Sequence, residues 1–530
     1  MTSADSFDDE DWTLISPGWP QTQRFPSNWR QAARDISMAI ARQPDLIESF
    51  YGRDSCPYWS EGPKSRPVDR GENGDQEPEG MGYIRGINTV GGVALVDDSF
   101  PSHRFTAITE PHFSMSLSPE QIQLIKATVP VLQQHGTDIT TVFYNNMLTA
   151  HPELNSVFNN ANKVNGHQPR ALAGALFAYA SNIDNLGALG PAVELICNKH
   201  ASLYIQPDQY QIVGKYLLEA MGQVLGAALT PEILDAWATA YWQLANIMIG
   251  REAELYKQAD GWTDFREFRI AKKVPESSEI TSFYLEPVDG KPLPKFRPGQ
   301  YISVQVFVDS LKFPQCRQYS LSDAPRSDYY RISVKREAGL NTSDPNATAH
   351  PGYVSNILHA NINEGDVVKV SHPYGDFFLS DAESPSPIVL IAAGVGLTPL
   401  TSILKTLTSN PPDAPQRQIH FIHGARSTAA RAFKKDIESL AEKYPSLHAT
   451  FFNTHPSAED QQGVDYDYEG RVDLSKLDKT KGLFLDDAKT EYYVCGPDKF
   501  MTSTRAALAE LGVSEDRIKL ELFGTGGVPA

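Results

Sequence analysis

The segment NKHASLYIQPDQY (198–210) places a histidine, His200, among apolar residues. Apolar residues recur around it at helical spacing: Val193, Ile196 and Leu203. This pattern predicts that His200 faces the core from an amphipathic helix. A buried histidine needs a polar partner, but a neutral imidazole can also ligate a metal through one nitrogen while the other donates a hydrogen bond. On these residues alone, a packed core histidine is the simpler interpretation.

Two other segments have residue types suited to nucleotide chemistry. In AAGVGLTP (392–399), a glycine-rich turn follows an apolar strand and opens a helix, so free backbone N–H groups point towards an anion. Gly394 and Gly396 would let a pyrophosphate approach the backbone. In RQYS (317–320), the arginine suits a diphosphate, the tyrosine offers a flat face to a flavin ring, and the serine can donate to a ring nitrogen. A steric glycine turn and an ordinary strand are the alternatives.

A third segment, GARS, ends the strand that contains HFIH. Arg426 and Ser427 are candidates for accepting the 2′-phosphate of a nucleotide, aided by Arg431 or Lys434. A solvated basic loop explains the same residues equally well.

Composition limits the possible partners. The chain has 530 residues, a hydrophobic content of 41% and a formal net charge of −18, which argues against a nucleic-acid or anionic-membrane partner. The four cysteines (Cys56, Cys197, Cys316, Cys495) are far apart, so they indicate neither a disulfide framework nor a zinc site. No apolar run is long enough to span a membrane, and the acidic first residues do not resemble a targeting peptide. We therefore expect a cytoplasmic protein.

Changes of periodicity divide the chain into four parts. Residues 1–114 have an excess of acidic residues and are predicted to be a largely disordered, dispensable extension, apart from a possible helix over 28–51. Residues 116–256 are helical throughout and begin with a capping box at Ser118. Residues 262–383 alternate as antiparallel strands do, and residues 384–530 have α/β texture. The order is an all-α domain, a β-barrel and a nucleotide-binding α/β domain.

The order of motifs in the second half resembles the ferredoxin–NADP reductase superfamily. The motifs are RPGQY, RQYS, GYVS, GDFF, AGVGLTP, YVCGP and ELFG. The resemblance implies FAD in the barrel and NADH or NADPH in the last domain. The implied FAD-binding residues are Tyr301, Arg317, Gln318, Tyr319, Ser320, Val354, Ser355, Glu521, Leu522, Phe523, Gly524 and Thr525. The implied NAD(P)-binding residues are Gly394, Val395, Gly396, Leu397, Thr398, Pro399, Arg426, Ser427, Cys495, Gly496 and Pro497.

With the helical half included, residues 116–530 resemble the flavohaemoglobins. The matching stretches are TTVFYNNMLTAHPELNSVFNN, NGHQPRALAGALFAYA, KHASLYIQPDQYQIVG and REAELY. The resemblance implies a globin with haem b, whose iron has His200 as its proximal ligand.

The resemblance also assigns the neighbours of that iron. Tyr210 and Glu252 lie beside the imidazole, although Glu252 alone would read as an exposed charge near a helix end. Tyr144 and Gln168 face bound dioxygen as hydrogen-bond donors, and Phe158 and Leu172 line the haem pocket. Lys199 is expected to tune the flavin potential at the domain junction.

The implied activity is that of a nitric oxide dioxygenase, which uses NAD(P)H and dioxygen to oxidise nitric oxide to nitrate. Such an enzyme detoxifies nitric oxide under nitrosative stress. We expect a monomer whose partners are small molecules, without nucleic acid or membrane. One alternative is an oxygen-binding or gas-sensing haem protein whose flavin module reduces its own iron. A flavin-dependent reductase with an incidental globin is another.

Overall fold

The computed structural model describes residues 116–158, 167–337, 352–409 and 417–523. The predicted disordered extension, 1–114, and the possible helix within it lie outside these ranges.

The first folded part consists of α-helices and short 3-10 turns. Ser118 caps the first helix through the predicted capping box with Gln121, and Thr230 caps the last by accepting from the Ile233 amide. Buried Ile139, Phe143, Met147 and Trp237 belong to its core. The helices are α1 (Pro119–Ala127), α2 (Val129–Ala150), α3 (His167–Ser181), α4 (Gly190–Ala201), α5 (Pro207–Leu225) and α6 (Pro231–Gln258).

An antiparallel sheet of six strands follows, in the order β4-β3-β6-β1-β2-β5. Its strands are β1 (Arg266–Pro275), β2 (Ile280–Pro287), β3 (Tyr301–Val308), β4 (Phe313–Ser320), β5 (Tyr330–Lys335) and β6 (Val367–Val370), with helix α7 (Tyr353–Ala360) before β6. Leu321 bridges to Ile332, and the Ser322 amide donates to Arg331 at 2.8 Å. These contacts join the two edge strands, β4 and β5, and close the sheet into a barrel.

The last part is a parallel sheet in the order β10-β9-β8-β7-β11-β12, with helices against it. Its core strand, β7, is buried along almost its whole length, as a parallel strand covered on both faces should be. The strands are β7 (Ile388–Ala393), β8 (Ile419–Ala425), β9 (Leu447–Asn453), β10 (Tyr468–Glu469), β11 (Glu491–Gly496) and β12 (Ile518–Leu522). The helices are α8 (Leu397–Leu407), α9 (Lys434–Lys443) and α10 (Asp498–Glu510).

The three architectures confirm the predicted fold class, and polar contacts connect them. The Ser303 hydroxyl of the barrel donates to Ser202 of the helical part at 2.9 Å, and the Gly375 amide donates to Asn198 Oδ1 at 2.9 Å. Tyr204 lies in the same hydrophobic cluster as the barrel core. Within the described ranges, none of the helices is long and apolar enough to cross a membrane.

Candidate functional site

Three helices bring His200, Tyr210 and Glu252 together. Helix α4 carries the histidine, α5 the tyrosine and α6 the glutamate. His200 Nδ1 lies 2.8 Å from Glu252 Oε1 and 3.0 Å from the Tyr210 hydroxyl, which donates to the same Oε1 at 2.6 Å. A carboxylate can only accept, so the hydrogen bond assigns the ring proton to Nδ1 and leaves the Nε2 lone pair available.

Burial determines how this triad behaves. Glu252 is only 2% exposed, so the alternative of an exposed charge near a helix end is wrong. Burial, together with the hydrogen bond to Glu252 and its negative charge, raises the pKa of Tyr210. The phenol therefore stays protonated and donates. The His200 side chain remains 31% exposed, which leaves one edge of the ring open.

The length of α6 explains why Glu252 reaches the histidine. The helix has 28 residues, about 40 Å at 1.5 Å per residue, and it runs past both α4 and α5. Tyr241, one-third of the way along, donates to the Tyr210 carbonyl at 2.5 Å. This bond fixes α5 against α6 about three helical turns before Glu252.

A second group of predicted residues lies between α2 and α3. Tyr144 is buried, and the Phe158 ring lies nearly perpendicular to it at 5.5 Å between centroids. Leu172 packs in the same hydrophobic cluster. Burial raises the pKa of the Tyr144 hydroxyl, partly offset by a hydrogen bond from Gln168, the second residue of α3. Tyr144 is therefore a protonated donor in an apolar setting.

The two groups lie in neighbouring hydrophobic clusters, which share Tyr241 and Leu244. Each has a polar atom that the described part of the chain leaves without a hydrogen bond. One is Nε2 of His200, and the other is the buried Oε1 of Gln168. An iron ligand on one side and the Tyr144 hydroxyl on the other fit a haem, whose porphyrin would supply four further iron ligands and leave one position for a small molecule.

In the barrel, β3 and β4 place the predicted flavin residues next to one another. Tyr301 pairs with Ser320, and Val304 with Arg317. Burial raises the pKa of Tyr319 and lowers that of Arg317, whose Nη1 donates to the Cys316 carbonyl at 2.6 Å. Gln318 donates to the hydroxyl of Ser303, its partner on β3, at 3.1 Å. A cation beside buried aromatic rings suits a flavin diphosphate and its ring system.

Helix α7 packs against β3 and β4 and begins at the predicted diphosphate residues. Gly352 is its N-cap and supplies no side-chain hydrogen bond, so backbone N–H groups in the first turn, including those of Val354 and Ser355, are open to an anion. The uncapped turn fits the diphosphate of FAD. Loop 338–351 lies outside the described residues.

The glycine turn after β7 meets the end of β11. A Cβ on Gly396 would lie 2.2 Å from the Cys495 carbonyl oxygen, so only glycine allows this approach. Gly394 has a φ of 57°, which glycine adopts without strain. The turn from Gly394 to Pro399 and the Cys495–Pro497 turn thus form one cradle at the carboxyl edge of the sheet, where nucleotides bind in such folds.

The same edge brings the predicted flavin and nucleotide residues together. Cys495 pairs with Glu521, and Gly496 with Leu522, along β11 and β12. Phe523 follows β12 and is exposed, while Gly524 and Thr525 lie outside the described residues.

Three charged residues, Lys199, Asp376 and Glu521, come from the three parts of the chain and interact with one another. Burial, and then repulsion from Asp376, raise the pKa of Glu521 to about 8, and Lys199 opposes this rise. Burial lowers the pKa of Lys199, against the attraction of Glu521 and Asp376. The lysine comes directly before His200, so this group connects the helical part to the nucleotide edge.

The residues predicted to accept a 2′-phosphate each have a partner within the described chain. Arg426 is exposed and forms an ion pair with Glu279 of the barrel part. The Ser427 hydroxyl accepts from the Ala430 amide at 3.3 Å. Arg431 is buried and donates to the Phe452 carbonyl at 2.9 Å, so it is not a solvated residue of a basic loop. Lys434 pairs with Glu438.

Sequence reasoning missed several residues of these sites. Asn198, Asp376 and Glu279 have partners in other parts of the chain. Tyr374 packs in one hydrophobic cluster with Ala201 and Tyr210 of the helical part. The GDFF motif was the one signal near Asp376, and it gave no indication of a partner in the helical part.

Comparisons with known proteins agree with this division. A model of the globin family matches residues 141–248, and one described as an oxidoreductase NAD-binding domain matches residues 390–506. A flavohemoprotein of Bordetella parapertussis is 50% identical over 417 residues, covering 78% of this chain and 100% of that protein. The flavohemoprotein of Rhizobium meliloti is 46% identical over 413 residues, covering 77% and 98%. The crystal structure of a flavohemoglobin from Malassezia yamatoensis with bound FAD and heme has a TM-score of 0.66 and 31% identity, covering 77% of this chain and 100% of that one.

Proposed function

Because the chain belongs to the flavohemoprotein family, we propose that it is a nitric oxide dioxygenase with haem b, FAD and NAD(P)H. The net reaction converts two nitric oxide, two dioxygen and one NAD(P)H into two nitrate, one NAD(P)⁺ and one proton. The observation that carries the proposal is the triad of His200, Tyr210 and Glu252. A buried carboxylate behind the ligand histidine makes the imidazole a stronger electron donor, which suits oxygen activation better than storage.

The haem supplies a redox-active iron, and the FAD divides the two electrons of a hydride into single electrons. On the proximal side, His200 would hold the iron through Nε2. Glu252 and Tyr210 keep the ring proton on Nδ1 and fix the orientation of the ring, since both hydrogen bonds converge on one buried carboxylate oxygen.

On the distal side, Tyr144 is the residue best suited to donate a hydrogen bond to dioxygen. Its hydroxyl stays protonated because burial raises its pKa. Gln168 would orient that hydroxyl, and Phe158 and Leu172 would exclude water while admitting small neutral gases.

In the reductase half, the β3–β4 pair and the start of α7 would hold FAD, and the Gly396–Cys495 cradle would hold NAD(P)H. The pairing of Cys495 with Glu521 supports this arrangement, because it puts the nucleotide cradle beside a predicted flavin residue. Lys199 would tune the flavin potential through its charge beside Glu521.

The test is consumption of NAD(P)H on addition of nitric oxide in air. The wild-type chain should consume NAD(P)H and form nitrate, and His200→Ala should lose this activity. As a control, both proteins should reduce ferricyanide with NAD(P)H, because that reaction needs only the flavin half. NAD(P)H consumption that does not depend on nitric oxide and is equal in the wild type and His200→Ala would favour a plain flavin reductase. Tight, reversible oxygen binding by the wild type without nitrate formation would favour a carrier or sensor.

The proposal also places the enzyme in the cytoplasm as a monomer. Sedimentation of the purified chain measures the mass directly, and a mass of 58.6 kDa is expected. A sedimenting species of twice that mass would replace the monomer with a dimer.

A further inference from the structure

Asn198 is a buried polar residue that has no role in the proposed reaction. It lies on α4, two residues before His200, and is 3% exposed. Its Nδ2 donates to the Glu194 carbonyl at 3.0 Å and to Glu194 Oε1 at 2.9 Å. Its Oδ1 accepts from the backbone amide of Gly375 at 2.9 Å. The side chain therefore joins the helix of the iron ligand to a turn 177 residues further along the chain.

The turn at Gly375 is constrained by the predicted flavin site. Gly375 has a φ of 128°, and a Cβ there would lie 3.1 Å from the ring of Tyr301. The preceding residue, Tyr374, exchanges two backbone hydrogen bonds of 2.9 Å with Tyr301. The following residue is Asp376, which faces Glu521 and Lys199. Fixing Gly375 thus fixes residues on both sides that face the flavin region.

The Nδ2 side of Asn198 is held by Glu194, and Glu194 is in turn held by Arg251. Arg251 makes a bidentate ion pair with Glu194, with Nε–Oε2 and Nη2–Oε1 distances of 2.7 Å each. Arg251 directly precedes Glu252, the carboxylate behind His200. A series of contacts therefore runs from Arg251 on α6 through Glu194 and Asn198 on α4 to Gly375 in the reductase half. Planar bidentate pairs of this kind are more rigid than single ion pairs.

We propose that Asn198 is a positioning residue for electron transfer, which holds the proximal helix against the flavin-binding turn through its bond to Gly375. The proposal rests on the proposed function, because it requires that electrons pass from the flavin to the haem. An asparagine meets both requirements of the position, a donor for Glu194 and an acceptor for the Gly375 amide. Aspartate keeps the acceptor alone, and leucine keeps the approximate shape without either.

The experiment uses the full chain loaded with haem and FAD, mixed with NADH without oxygen in a stopped-flow spectrometer. Flavin bleaching reports the hydride step, and the haem absorption bands report arrival of electrons at the iron. We compare Asn198→Leu and Asn198→Asp with Asn182→Leu as a matched control. Asn182 also donates to the carbonyl four residues earlier, at 2.9 Å, but its side chain makes no contact across the domain junction in the described structure.

We expect Asn198→Leu to slow haem reduction roughly tenfold, since a buried amide left without its acceptor shifts a docking equilibrium by about one decade. Flavin bleaching should keep its wild-type rate. Amide hydrogen exchange in the segment around Gly375 should accelerate by roughly the same factor. Asn198→Asp keeps the acceptor for Gly375 but turns an oxygen towards Glu194 Oε1, so it should restore the haem rate only in part. Asn182→Leu should change neither step.

The inference is overturned if Asn198→Leu reduces its haem at the wild-type rate, or if it slows flavin bleaching to the same extent. Asn198→Ala, a smaller change that also removes the acceptor, gives the same comparison where the leucine variant does not fold. Failure of the proposed function looks different, because the wild-type chain itself would then not pass electrons from NADH to haem.

Discussion

Replacing Glu252 with glutamine removes the charge behind His200 while keeping the shape of the side chain. The carboxylate accepts hydrogen bonds of 2.8 Å from His200 and 2.6 Å from Tyr210 at one oxygen, and it is 2% exposed. A hydrogen bond to a charged group contributes about 1.5–3 kcal/mol, against about 1 kcal/mol for a neutral one. The amide oxygen can still accept from the ring, so the geometry should remain and the electron donation should weaken.

We expect Glu252→Gln to lower nitric oxide-dependent turnover roughly 10- to 100-fold, the range observed when the outer partner of a metal-ligating histidine is changed. The haem reduction potential should rise, because a less anionic imidazole stabilises the oxidised iron less. Stopped-flow turnover and a spectroelectrochemical titration measure the two effects.

Two variants test whether the effect of Glu252→Gln comes from the buried carboxylate. Glu254→Gln changes the same charge on the same helix, but its side chain is 69% exposed, and it should leave both quantities unchanged. Tyr210→Phe removes one donor and keeps the carboxylate, so its effect should be smaller than that of Glu252→Gln. Wild-type turnover together with an unchanged potential in Glu252→Gln would refute the role of the buried carboxylate.

Four further predictions concern other parts of the site. Tyr144→Phe should speed dioxygen dissociation roughly fivefold, the equivalent of one hydrogen bond of about 1 kcal/mol, in a stopped-flow displacement by carbon monoxide. Arg426→Ala should raise the KM for NADPH more than that for NADH, and an unchanged ratio would exclude Arg426 from phosphate binding. Gly396→Ala should raise the KM for both nucleotides and destabilise the chain by about 1–3 kcal/mol in urea unfolding, since its Cβ meets the Cys495 carbonyl oxygen. Burial raises the pKa of Glu521 to about 8, so between about pH 5 and 8 the folded chain holds a proton that the unfolded chain releases. The free energy of unfolding should therefore fall as the pH rises through this range, by up to about 1.4 kcal/mol per pH unit. Glu521→Gln should remove that slope.

Local patterns were sufficient for much of the fold. The Ser118 capping box and the proline after Thr230 mark helix starts, and the structure has both. The apolar run at 388–393 is a parallel strand buried along almost its whole length, and the alternation at 301–308 is an antiparallel strand. In each instance the information lies within a few residues, because caps and side-chain periodicity are local properties.

The site required information that local patterns do not contain. His200 was readable as a core residue until the resemblance connected it with Glu252, 52 residues away. The ion pair of Arg426 with Glu279 and the bond of Asn198 to Gly375 join different parts of the chain, and nothing in either segment indicates its partner. Burial of Arg431 depends on how the 3-10 turn at 428–430 and β9 pack, which the basic composition of the loop does not indicate.

The stoichiometry of nitrate formation tests the central claim most directly. The wild-type chain, loaded with haem and FAD, is supplied with a limiting amount of NADH, an excess of dioxygen and a continuous low concentration of nitric oxide, and nitrate is measured when the NADH is exhausted. A nitric oxide dioxygenase should form two nitrate for each NADH consumed. Exhaustion of NADH with no nitrate, or with nitrous oxide as the product in air, would contradict it.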